Sequence, residues 1–223
     1  MMSYLDANLT ALSAALGPGP APPSDTTGRC SVEGAGEARV LYLTTSHGAR
    51  LALNSARDPA AEARRTVERA LGGSQHPGLV VLIGLGLGYT IDAVETLLPD
   101  ARIIAVEPEP AAVRALLARR DFTQLFASNR LLLLWGPAYH GAATGWRFFD
   151  GVDSRLTLVH PVVAREYPDE VAAAVRAVEG MAFGAQANAE ARRRFAGQYL
   201  LNTLGNLAVI AGSGDACHLT DAF

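Results

Sequence analysis

Apolar residues at Leu5, Leu9, Leu12 and Leu16 recur at helical spacing, which predicts a short amphipathic helix over Ser3 to Leu16. The following GPGPAPPSD stretch cannot continue a helix or enter a sheet interior, so it reads as an exposed linker that leaves the first helix mobile. From Arg39 to Leu53, Val40, Tyr42 and Thr44 alternate with Leu41 and Leu43 ahead of a Ser46-His47-Gly48 turn, predicting a small hairpin or meander. Ala60 to Leu71 reads as a helix, with Ser55 or Asp58 as cap, Pro59 in its first turn and Gly72-Gly73 as its end.

Beyond Gly78 the pattern changes. Apolar strand-like blocks at Leu79 to Ile83, Arg102 to Val106, Leu131 to Leu134 and Leu156 to Val159 follow one another, with helical blocks at Tyr89 to Leu98 and Pro110 to Arg119. Strands of this kind interleaved with helices predict an α/β fold, a Rossmann-like parallel sheet with helices on both faces. After Pro168 the chain reads as two helices, Asp169 to Phe183 and roughly Ala189 to Ala211. The expected organisation is an N-terminal helix and linker over 1–28, a small β element over 29–58, the Rossmann-like domain over 59–168 and a helical tail over 169–223.

Composition narrows the function classes. With 19 Lys and Arg against 22 Asp and Glu in 223 residues, the formal net charge of -3 offers no general attraction to phosphate backbones or anionic lipid, so no nucleic-acid partner is expected. Cys30 and Cys217 fit neither a metal-ligand spacing nor a disulfide framework and read as reduced, non-catalytic thiols. The start of the chain lacks a positively charged leader, and runs such as Leu79 to Leu87 are too short to span a bilayer, so a cytoplasmic protein without membrane association is expected.

The candidate chemistry lies in VVLIGLGLGYT. Gly84, Gly86 and Gly88 fall where a buried strand must turn into a helix, and the missing side chains let a backbone approach a ligand. The following helix start suits phosphate or carboxylate. The next strand ends at Glu107, 19 residues beyond Gly88, near the spacing at which an acid bonds ribose hydroxyls. Gly84, Gly86, Gly88 and Glu107 are therefore the expected cradle for a small nucleotide ligand. The plainer alternative is that the glycines only make a tight turn and Glu107 caps the helix near Pro110. Tyr89 stands where G-x-G-x-x-G requires glycine, which disfavours a nicotinamide dehydrogenase and leaves S-adenosylmethionine as a competing ligand.

His140 and His160 follow predicted strands, at the sheet edge where such folds place ligands, but neither is paired with a nucleophile. His47, His76 and His218 have weaker claims. Asp150 and Asp153 read as solvated turn formers, and no metal site is expected. Glu190 and Arg192-Arg193-Arg194 read as a solvated helical face, with anion binding as the lesser possibility. The uncharged Leu200 to Ile210 stretch is expected to be buried, with Asn202 and Asn206 on one face.

Asn54-Ser55, Asp58-Pro59, Glu62-Ala63, IGLGLGY, Val106-Glu107-Pro108, and Phe195, Tyr199, Asn202 and Asn206 occur here in an order that resembles the N-terminal part of the motility accessory factor (Maf) family of flagellin glycosyltransferases. The resemblance covers roughly Leu51 to Phe223. It implies transfer of a nonulosonic acid, such as pseudaminic or legionaminic acid, from a CMP-activated sugar donor to Ser or Thr hydroxyls of flagellin. In that family a domain resembling hydroxymethylpterin diphosphokinase follows, opening with a GPSLD-like turn. This sequence stops at Asp221-Ala222-Phe223, so the resemblance implies a fragment lacking the part that holds the transferase site. An S-adenosylmethionine-dependent methyltransferase and a non-catalytic module that recognises flagellin are the alternatives.

Overall fold

The computed structural model describes residues 3–16, 29–36, 38–73, 76–136 and 145–212, with side chains up to 206. The predicted linker, His140, Cys217 and His218 lie outside the described residues.

The parallel sheet consists of β4 (Leu79–Ile83), β5 (Arg102–Glu107), β6 (Leu131–Trp135) and β7 (Arg155–Val159), in the order β6-β5-β4-β7. Every residue of β4 and β6 is buried, as an apolar run covered on both faces requires. One face, carrying Val80, Leu82, Ile103 and Leu133, packs on α2 (Pro59–Leu71), α3 (Tyr89–Leu97), α4 (Pro110–Arg119) and the short α5 (Thr123–Ala127). The other, carrying Val81, Ile83, Ile104 and Leu134, packs on Phe148 and on Ala174, Val178 and Met181 of the last helix. The α/β fold with helices on both faces is thus the observed architecture.

Ahead of it, β1 (Cys30–Glu33), β2 (Val40–Thr44) and β3 (Arg50–Ala52) form an antiparallel sheet in that order. Asp58 caps α2, its Oδ1 accepting the Ala61 N–H at 2.9 Å, and Gly72 closes the helix in the left-handed conformation at φ 58°.

The first helix, α1 (Tyr4–Leu16), is docked, contrary to the mobility that its linker suggests. Asn8 is fully buried: its Nδ2 donates to the carbonyls of Leu117 and Arg120, and its Oδ1 accepts the Phe122 N–H, all at 2.7 Å. The last turn of α4 leaves carbonyls without helical partners, and Asn8 supplies donors for two carbonyls at that end.

The last helix also departs from expectation. Where two helices were predicted, α7 runs unbroken over Pro168–Gly212, following the short α6 (Pro161–Glu166). Gly184 alone does not stop it, because one interior glycine costs only about 1 kcal/mol and the surrounding alanines favour helix. One face of its first part is buried, at Ala174, Val178, Met181 and Ala185, whereas Tyr199, Leu200, Leu201 and Leu204 are all more than half exposed. Over Leu200 to Asn206, the described side chains of the uncharged stretch, the expected burial is not met. Among the described residues, no helix is long and apolar enough to cross a membrane.

Candidate functional site

In a parallel ladder the carboxyl ends of neighbouring strands share one edge, and here Ile83 lies beside Val106 of β5 and Val159 of β7. The chain leaves β4 for β5 on one side and reaches β7 on the other, so the strand order reverses between β4 and β7. Open α/β sheets bind ligands at such a point, outside the carboxyl ends. A cleft of about 270 Å³ opens there, walled by the glycine loop, Asn54, Glu62 and Thr66, the start of α3 at Thr90, and His160 after β7.

All three loop glycines have positive φ, 82° at Gly84, 54° at Gly86 and 81° at Gly88, which only glycine adopts without strain. Their surroundings differ. A Cβ at Gly84 would lie 2.7 Å from Val163 Cγ2 and one at Gly88 3.1 Å from Leu116 Cδ1, whereas at Gly86 the nearest atom is Leu53 Cβ at 3.5 Å. Gly84 therefore admits α6, Gly88 admits α4, and Gly86 lies under the end of the small sheet.

Glu107 meets the loop from beneath. It is 1% exposed, and its Oε2 accepts the Leu85 N–H at 2.6 Å while Oε1 accepts the Glu109 N–H at 3.1 Å. The Gly86 N–H also donates to it. Burial pushes this carboxyl up to about 7, opposed by the three backbone donors and reinforced by the nearby charge of Glu109. Of the four predicted cradle residues, Gly84 lines the cleft, while Gly86, Gly88 and Glu107 are not among its walls and the Glu107 oxygens are turned to the loop's own amides.

Further residues fasten this corner. Arg119 Nε donates to the Leu87 carbonyl at 2.5 Å, its guanidinium pairs with Asp92 and stands 4.5 Å from the centroid of the Tyr89 ring, and the Tyr89 hydroxyl donates to the Arg39 carbonyl at 3.0 Å. Tyr89, the departure from the glycine fingerprint, thereby joins α3 to the small sheet. Arg119 was missed in the sequence, although it lies on the apolar phase of α4 set by Ala112 and Leu116. Asn54 prolongs the β2–β3 pairing, accepting from Leu41 N and donating to the Arg39 carbonyl, and Ser55 N donates to Glu62 at 2.6 Å.

His160 is a tie as well: its Nε2 bonds the Leu53 carbonyl at 2.9 Å, and burial lowers its pKa. Beside Glu107, the Tyr167 hydroxyl donates to Glu109 at 2.8 Å, and burial pushes the Cys30 thiol up to about 12, too high for a thiolate nucleophile. Away from this edge, Asp150 accepts from Arg192 at 2.6 and 3.3 Å on the surface. Among the described residues, no group of three or more His, Cys, Asp or Glu is placed to hold a metal ion. Phe195, Tyr199, Asn202 and Asn206 are exposed on α7.

No protein-family model and no curated protein matches the sequence. Solved structures are similar in fold. The MAf glycosyltransferase from Magnetospirillum magneticum AMB-1 is similar over 78% of this chain and 35% of its own, at 14% sequence identity and a TM-score of 0.43. The chain thus spans about a third of that protein's length.

Proposed function

We propose that this chain is the N-terminal, nucleotide-binding-like part of a Maf-type glycosyltransferase, which moves a nonulosonic acid from a CMP-sugar to Ser or Thr of flagellin. The observation that supports this reading is convergence. Asn54, Glu62 and the Gly84, Leu85 and Leu87 part of the glycine loop, which carry the sequence resemblance, line one cleft at the point where the strand order reverses. Its volume of about 270 Å³ is near the lower end of ligand pockets, suited to part of a nucleotide sugar. In this reading the loop and α2 grip the donor, and the acceptor is flagellin.

The methyltransferase alternative relies on Glu107 to bind a ribose diol. The Glu107 oxygens already accept the Leu85 and Glu109 amides, which weighs against it. The non-catalytic recognition module needs no ligand in the cleft.

Calorimetric titration with CMP, a CMP-activated nonulosonic acid and S-adenosylmethionine separates the three. Binding of the CMP ligands is expected, weakened about tenfold or more in Thr66→Trp, which adds bulk at the rim from an exposed position of α2. Binding of S-adenosylmethionine alone would establish the methyltransferase reading. Silence from all three, with purified flagellin still bound, would establish the recognition module.

A further inference from the structure

We propose that α2, rather than the amides of the glycine loop, reads the ligand of the cleft: Arg69 holds its anionic group, a phosphate or a carboxylate, and Glu62 accepts hydrogens from its hydroxyl or amino groups. These contacts rest on the sugar-donor reading of the cleft given above, and they move to α2 two roles expected of the loop and of Glu107. The loop's own donors are already taken. The Gly84 and Gly88 N–H groups donate to the carbonyls of Val106 and Leu85, both at 2.8 Å, and those of Leu85 and Gly86 donate to Glu107. Glu107, 1% exposed, is not among the cleft walls.

Among the described residues, the carboxylate and the guanidinium that line the cleft are those of Glu62 and Arg69, and both come from α2. With Thr66 they occupy positions i, i+4 and i+7, one stripe of the helix, which at about 1.5 Å per residue sets acid and base roughly 10 Å apart along it. Each keeps bonding capacity that the chain does not use. Arg69 forms no hydrogen bond or ion pair among the described residues, whereas Arg64 on the same helix is paired with Glu68. Glu62 accepts the Ser55 N–H through Oε2 at 2.6 Å, leaving Oε1 without a partner among the described residues. A guanidinium is a planar fork of donors that fits phosphate or carboxylate with two parallel bonds, and a carboxylate oxygen takes hydroxyl or amine hydrogens. Leu82, Leu85, Leu87, Leu158 and Val159 make much of the remaining wall apolar, so a few polar groups fix a ligand's orientation. An acid in the first turn and a base in the last also suit the α2 dipole, so stability does not separate the two roles and ligand contact does.

NMR on the full chain reads the anion contact directly. As CMP, the free nonulosonic acid and inorganic phosphate are added in turn, the Arg69 Nε–H resonance should shift and saturate, while that of Arg65, an exposed arginine of α2 outside the cleft, should move little. A response to CMP without one to the free acid assigns the phosphate, and the converse assigns the carboxylate. Calorimetry then gives the size of each contact. Arg69→Gln and Glu62→Gln should each weaken binding of CMP and of the CMP-activated sugar about tenfold or more, as expected for a hydrogen bond to a charged group, whereas Arg65→Gln should change it less than about twofold. Arg69 and Arg65 shifting alike, or the backbone amides of Tyr89 and Thr90 responding while Arg69 stays still, would overturn the proposal. CMP bound equally by the wild type and Arg69→Gln would do the same while leaving the glycosyltransferase reading intact, and equal binding by Glu62→Gln would remove the role of that residue. Should Arg69 answer inorganic phosphate while no cytidine ligand binds, the anion contact stands and the glycosyltransferase reading falls, together with the role of Glu62.

Discussion

Gly84→Ala is expected to remove a substantial part of the stability of the fold, whereas Gly86→Ala, two positions along the same loop, should cost only its backbone strain. Both glycines have positive φ, 82° and 54°, where an L-residue loses roughly 1–2 kcal/mol. At Gly84 a second cost is added. The new Cβ would lie 2.7 Å from Val163 Cγ2 and 2.8 Å from the Cβ atoms of Val163 and His160. Neither neighbour can move aside cheaply: Val163 is β-branched and 1% exposed, and His160 is tied to the Leu53 carbonyl. Overpacking of this kind costs about 1–3 kcal/mol, so the sum at Gly84 is about 2–5 kcal/mol, against roughly 5–15 kcal/mol for a whole domain. At Gly86 the nearest atom, Leu53 Cβ at 3.5 Å, is an ordinary contact. Urea denaturation of the two variants tests the difference, and equal losses would contradict the packing account.

The second large effect is expected at Asn8. Asn8→Ala removes two donors and one acceptor at a fully buried position, leaving the carbonyls of Leu117 and Arg120 and the N–H of Phe122 without this partner. A buried polar group stripped of its partner costs about 1–3 kcal/mol, and with three affected together a loss of about 3 kcal/mol is expected. The damage should be local as well as global. Leu5, Leu9 and Leu12 pack on the core through α1, and undocking would expose them. Limited proteolysis should therefore cut the variant within α1 before the wild type, with urea denaturation giving the global loss. A loss below about 1 kcal/mol with α1 still protected would show that apolar contact alone holds the helix.

The parallel layer was legible because it is dictated locally. Leu79–Ile83 and Leu131–Trp135 are short apolar runs bounded by turn residues, and Pro110 and Arg119 bound a helix whose Ala112, Val113, Leu116 and Leu117 lie on the buried side. The α2 boundaries were nearly as plain, since Pro59 and Gly72 each act within one turn of chain, and the structure chose Asp58 over Ser55 as the cap. The continuity of α7 was less so. A glycine among alanines balances a local cost against local propensity, and the sequence shows no stop signal strong enough to place a break.

The candidate site divides along the same line. The sequence by itself determined that Gly84, Gly86 and Gly88 form a strand-to-helix turn and that an acid ends the next strand, because chain reversal and strand length are short-range properties. Only the tertiary structure decided what those residues face. The Glu107 oxygens accept loop amides, His160 bonds Leu53, and Asn8 reaches the end of α4 more than a hundred residues away. A hydrogen bond is satisfied by whichever partner the packed layers bring within about 3 Å, and that choice is made by the arrangement of sheets and helices rather than by the residues near it in the chain.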